Sequence, residues 1–270
     1  FKASKAAAAK PIAVTWGEFV TINGDYFVPV SLSVPKTSGL TPEQKLTFFG
    51  VVEDATGKPV AVFEEPATLA ASKDDLYFDK SLTLPAGKHR AVFGLAENGA
   101  PITMVSTEME LAGSIDKAAE GVSRLLISNN IFPLSAPQRM TDPFAFGGMK
   151  VVPKSDRTFT TAEELWYFVE IRNPGLSETE KTPKIQAKLD LEGVIDEGGK
   201  KVKMSQPPSE VQAMEFNGMP GHFGIGSAIP LATIRPGKYT LTVKVIDTVT
   251  KANYTVKEDF RVVAAPKTTP

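Results

Sequence analysis

The chain has 270 residues, a formal net charge of −1 and no cysteine, which excludes disulfide staples, thiolate metal sites and thiol nucleophiles together. With 30 Lys and Arg against 31 Asp and Glu and no basic block, neither a nucleic-acid groove nor a polybasic membrane patch is expected. The length suits two domains of ordinary size, each with its own core, and no apolar run reaches the roughly 20 residues of a membrane-spanning helix.

Residues 1–10 are too poor in large apolar groups to pack alone and read as a tail. From Ile12 onward the pattern is that of strands. Tyr26 to Val34 alternates β-branched and aromatic residues with small or polar ones, and Pro29 in its middle predicts an edge strand or a bulge. Lys45 to Val52 and Pro59 to Phe63 form a hairpin around Asp54-Ala-Thr-Gly57, whose glycine can take positive φ. Tyr77 to Leu84 and His89 to Leu95 flank the turn Pro85-Ala-Gly87, and Glu97-Asn-Gly-Ala100 leads into Ile102 to Leu111. About seven short strands with turns at roughly eight- to twelve-residue spacing make a sandwich, so residues 11–112 are read as a first β-sandwich. Residues 113–122, small, charged and helix-tolerant, are read as a linker.

A second β-sandwich with longer loops is expected over residues 123–264. Arg124 to Ile131 opens it, and Phe132 to Gly148 reads as a loop without counterpart in the first domain; ordered loops of that length usually serve a contact. Met149 to Pro153, Glu164 to Arg172, Ile185 to Val194, Lys201 to Met204, Val211 to Phe216, Gly224 to Leu231, Lys238 to Asp247 and Tyr254 to Val263 supply the remaining strands. The fold class is therefore all-β, two tandem immunoglobulin- or fibronectin-like antiparallel sandwiches.

The two halves run through one succession of signals. Tyr26–Pro35 answers Leu165–Pro174, Lys45–Val60 answers Lys188–Val202, and Leu82–Phe93 answers Ala232–Val243. Pro35 matches Pro174, Gly57 matches Gly199 and Gly87 matches Gly237. What the copies share is turn and edge scaffold, so a local function belongs where they differ.

Enzyme signatures are missing: no phosphate loop, no Gly-x-Ser-x-Gly elbow, no His-Glu-x-x-His. The two histidines, His89 and His222, fall in non-equivalent places, and His89 between Lys88 and Arg90 reads as exposed. Asp74-Asp75 and Glu163-Glu164 lack the alternating spacing of a calcium loop and read as solvated surface. No catalytic residue, metal or cofactor is assigned. Aromatic residues are the better lead. Alternation sends Trp166 and Phe168 to one face of their strand and Tyr167 to the other, so the row either packs or forms a platform for a sugar or peptide. Asp142-Pro-Phe-Ala-Phe-Gly-Gly148 and Phe216-Asn-Gly-Met-Pro-Gly-His-Phe223 either fold over the core or meet another protein. The candidate partner-binding residues are Phe132, Phe144, Phe146, Trp166, Phe216, Met219 and Phe223.

Several runs carry a resemblance: Tyr26-Phe-Val-Pro-Val30, Glu53-Asp-Ala-Thr-Gly-Lys-Pro-Val60, Leu84-Pro-Ala-Gly-Lys88, Asp142-Pro-Phe144, Val152-Pro-Lys-Ser-Asp-Arg-Thr-Phe159 and Arg235-Pro-Gly-Lys-Tyr239. Their order resembles the C-terminal β-rich regions of large bacterial secreted proteins of the von Willebrand factor A-related or GWxTD-domain type. The A domain itself and its Asp-x-Ser-x-Ser metal motif are absent. The resemblance implies an exported module, extracellular or periplasmic, and a start at Phe1 is read as a processed end or a fragment boundary. The expected function is a non-enzymatic structural or protein-interaction subunit of an envelope-associated assembly, its partners being other subunits or further copies of itself. The alternative is a carbohydrate-binding or adhesive module using Trp166 or Trp16.

Overall fold

The computed structural model describes residues 11–20, 26–111, 120–146, 148–216 and 219–266. The chain divides into two compact units, residues 1–117 and 118–270; most of the stretch 113–122 read as a linker, residues 113–119, lies outside the described residues.

Strand alternation builds the core of each unit. In Leu46–Asp54 the inward residues Leu46, Phe48 and Val52 are buried and their neighbours only partly so. The Phe48 ring meets those of Phe63, Phe78 and Phe93 at centroid separations of 5.0, 5.1 and 6.0 Å. Each such side chain taken fully out of water contributes about 1.5–3 kcal/mol, so these rings anchor the first core.

Each unit is two sheets packed on one core. In the first, one sheet runs Ala13–Trp16, Tyr26–Pro35, Asp75–Leu84, Ala70–Ala71, with Phe19–Val20 also on Tyr26–Pro35; the other runs Pro59–Ala67, Leu46–Asp54, Gly87–Glu97, Ala100–Leu111. In the second unit one sheet runs Ala145–Phe146, Met149–Pro153, Leu126–Pro133, Glu164–Arg172, Met219–Pro230, Met214–Phe216, with Gly121–Val122 also on Glu164–Arg172. The other runs Thr158–Thr160, Asn253–Val263, Gly237–Asp247, Ile185–Ile195, Lys201–Val211, all antiparallel except the parallel first pair.

Laid side by side, the sheets show the duplication. The order Ala13–Trp16, Tyr26–Pro35, Asp75–Leu84, Ala70–Ala71 recurs as Leu126–Pro133, Glu164–Arg172, Met219–Pro230, Met214–Phe216, and the facing sheets share one order as well. The matched glycines are not used alike. Gly57 and Gly199 take φ of 83° and 61° in equivalent hairpin turns, a region glycine enters without cost. Gly87 has φ 129° and open space about it, whereas a Cβ on Gly237 would lie 2.5 Å from the Val194 carbonyl oxygen.

Three expectations are corrected. Tyr26–Pro35 is a central strand, neither an edge nor bulged at Pro29. Pro29 is tolerated because the neighbouring strand is interrupted opposite it: Trp16 faces Val30, Phe19 faces Phe27, and the Gly17 N–H donates to the Pro29 carbonyl at 2.8 Å. His89 is buried, since the register that turns Ala91, Phe93 and Leu95 inward carries it along, and its Nε2 lies 2.8 Å from the Pro85 carbonyl. Lys201 to Met204 does not end there. The strand continues through Pro207 and Pro208 to Val211, because it is an edge and the prolines coincide with a register shift between Ala187 and Leu189.

Candidate functional site

The Glu164–Arg172 strand has two faces. Leu165, Tyr167, Val169 and Ile171 point into the core, where burial pushes the Tyr167 phenol up to about 12; it is a neutral packing ring. Glu164, Trp166, Phe168, Glu170 and Arg172 share the outer face. Opposite them on Met219–Pro230 stand Pro230, Ala228, Gly226, Gly224 and His222. Small residues at alternate positions leave bare backbone beside the aromatic row, and rings lie across it. A Cβ on Gly226 would come within 2.9 Å of the Phe168 ring, and one on Gly224 within 2.7 Å of the Phe216 ring. Trp166 and Phe168 stand 6.5 Å apart and within 17° of parallel. Phe146 stacks on Phe168 at 5.9 Å and meets Phe216 edge-on at 5.7 Å.

The structure thus gathers three of the seven candidates, Phe146, Trp166 and Phe216, around Phe168. Trp166, Phe168 and Phe216 are half-buried and keep free surface, while Phe146 is nearly covered. The other four are elsewhere. Phe144 is fully buried and has no surface to offer, because the Phe132 to Gly148 segment does not stand out as a loop. It holds a short helix, Ala136–Thr141, begun by a hydrogen bond from the Ser135 N–H to Gln138 Oε1 at 3.1 Å, and folds back on the sheet. Phe132, 38% exposed, sits on the sheet beside Lys150. Phe223 belongs to the core between the sheets, and Met219 is half-buried at the start of its strand.

The insertion is clasped in place. Lys150, 3% exposed at its side chain, donates to Asp142 Oδ1 at 2.6 Å and lies 5.4 Å from the Phe144 ring centre; the same carboxylate oxygen accepts the Phe144 N–H at 2.8 Å.

Farther along the outer face lies a pair that sequence reasoning missed. Glu170 is fully buried, with one oxygen 2.8 Å from His222 Nδ1. Its other oxygen and the Arg172 Nε are buried without a hydrogen-bond partner among the described residues. The cross-strand register unites them, and no local spacing signals it. Of the acids weighed for calcium, Glu163 is occupied by the Asn129 amide at 2.6 Å and the Thr160 N–H at 2.5 Å. Among the described residues no three His, Asp or Glu side chains are grouped to hold a metal, and no helix is long and apolar enough to cross a membrane.

The glycine strip carries a stability prediction. Gly226→Ala places a methyl against the Tyr167 carbonyl oxygen, 2.5 Å away, and against Phe168. It is expected to lower the unfolding free energy by about 1–3 kcal/mol, as overpacking does, read as a lowered urea midpoint.

No protein-family profile matches the chain, and no curated protein matches it. Among solved structures it is similar to the C-terminal domain of the AgI/II polypeptide BspA of Streptococcus agalactiae, with 9% identity, covering 93% of this chain and 99% of that one, at a TM-score of 0.22.

Proposed function

We propose that the chain is a non-enzymatic, exported adhesive protein of two immunoglobulin- or fibronectin-like sandwiches, and that the outer aromatic face of the second unit binds carbohydrate. The sandwich assignment is supported by strand order. Lettered along the chain, one sheet of each unit reads A-B-E-D and the other C′-C-F-G, which agrees with the immunoglobulin-type arrangement. The export assignment rests on the resemblance of short motifs to accessory regions of von Willebrand factor A-related and GWxTD-domain proteins.

One observation carries the binding assignment. Trp166 and Phe168 are near-parallel, half-buried and face Ala228 and Gly226 across the strand pair; Phe168 is stacked on by Phe146, so Trp166, at the end of the row beside small Ala228, is the ring left to meet the apolar face of a sugar. Exposed Glu164 stands next along the same face and can accept a hydroxyl hydrogen bond. A glycan array of the full chain beside Trp166→Ala tests this. Loss of about 1 kcal/mol of ring contact predicts a roughly five-fold weaker signal for every glycan bound; an unchanged profile contradicts the assignment.

Protein subunits as partners form a second reading, favoured by Lys201–Val211, whose residues are nearly all exposed and which, among the described residues, pairs on one side only. Free strand edges accept partner strands. Light scattering after size exclusion should then show an oligomer or a retained partner, and a bare monomer would count against it.

A further inference from the structure

We infer that the outer face of the other sheet in the second unit is a separate site for a sparsely charged anionic polysaccharide. The register places Lys201, Val194, Lys238 and Arg261 in one row across four adjacent strands. This row lines an open groove of about 770 Å³, into which Arg157 and Lys203 also project.

The acids of the groove are already engaged. Glu192 accepts from Lys203 Nζ at 2.5 Å, a bond that holds its carboxyl below the usual range. Asp259 accepts the Thr240 hydroxyl at 2.6 Å, and Asp156 lies 3.5 Å from Lys154 Nζ. Arg261 is held by Asp196 at 2.7 Å and Arg157 by Glu258. Lys201 and Lys238 differ: both are exposed, and neither has an ion-pair partner among the described residues. They flank Val194, itself 43% exposed. Two strand spacings set them about 10 Å apart.

That spacing selects the class of ligand. Each strand of a nucleic-acid duplex carries a phosphate about every 3.4 Å of helix axis, so such a dense polyanion laid along this groove would press its extra charges against Glu192, Asp259 and Asp156. A chain with one carboxylate per disaccharide meets the two ammoniums with few surplus charges, lays an apolar sugar face on Val194, and offers hydroxyls to the groove's carboxylates.

The test is titration calorimetry of the full chain with hyaluronan fragments, one carboxylate per disaccharide, against dextran, heparin and single-stranded DNA. Hyaluronan should bind with an affinity that falls as salt rises, and Lys201→Ala/Lys238→Ala should weaken it about ten-fold. Lys200→Ala, in the adjoining turn, and Trp166→Ala should leave it unchanged, which separates this groove from the aromatic face. Equal binding of dextran, preference for heparin or DNA, no hyaluronan binding, or full binding by the double variant overturns the inference. Unchanged urea midpoints establish that the variants are folded.

Discussion

Lys150→Ala is expected to lower the stability of the second unit by about 1.5–3 kcal/mol, the cost of losing a charge-assisted hydrogen bond between a buried lysine and a carboxylate that is one-fifth exposed. Lys150 is nearly inaccessible, and Asp142, its partner at 2.6 Å, also organises the Phe144 backbone. The loss should therefore release the segment that carries Phe144 and Phe146. Hydrogen exchange should show Ala145–Phe146 and Met149–Pro153 losing protection before the other strands of their sheet. Lys150→Met, which keeps the packing but not the charge, isolates the electrostatic part; pairing it with Asp142→Asn, which keeps an oxygen for the Phe144 N–H, should recover part of the loss by removing the unpaired charge. A Lys150→Ala variant as stable as the parent would mean that the insertion is held by its phenylalanines alone.

The second large effect belongs to Asp247. Its carboxylate, 1% exposed, accepts the Gly175 N–H at 2.6 Å, the Val249 N–H at 2.8 Å and the Thr250 N–H at 3.1 Å. Burial pushes the carboxyl up, but the hydrogen bonds from Gly175, Thr250 and Val249 together outweigh it and hold it below its usual value. Asp247→Ala orphans three backbone donors and is expected to cost about 2–4 kcal/mol at neutral pH. The pH dependence has a definite sign. With a folded value depressed below the unfolded value of about 3.9, the contribution is complete above about pH 4 and is lost as pH falls through the folded value. Urea titrations should show the gap between parent and Asp247→Ala shrinking only in that acidic window; a gap constant into strong acid would contradict the role given to the carboxylate.

Much of the scaffold was legible because strand alternation and turn residues are local signals. Leu46, Phe48 and Val52 announce an inward face, and Gly57 and Gly199 mark equivalent turns. Local pattern misleads where a neighbouring strand decides. Pro29 looks like an edge until the break at Gly17 appears across from it. His89 looks exposed between Lys88 and Arg90 until its register is fixed by Ala91 and Phe93. The candidate site was half legible. Trp166 and Phe168 follow from alternation, but their surroundings depend on Gly224 and Gly226, whose alternate spacing in His222-Phe-Gly-Ile-Gly226 was the available signal for rings lying across the strand. Phe144 takes the first of the two courses its run allows, folding over the core, because hydrophobic character alone does not tell a loop that folds back from one that reaches out. The Glu170 and His222 contact joins residues 52 apart in sequence, which no spacing argument reaches.

Tryptophan emission reports carbohydrate binding at Trp166 itself. The chain has two tryptophans, and Trp16 lies in the first core, 7% exposed, so Trp16→Phe leaves Trp166 as the single reporter. Titration with a glycan selected on the array should give a saturable change in Trp166 emission, with a midpoint matching the affinity of the parent chain. Emission that stays constant while the glycan saturates the protein would show that the aromatic face is not where carbohydrate binds.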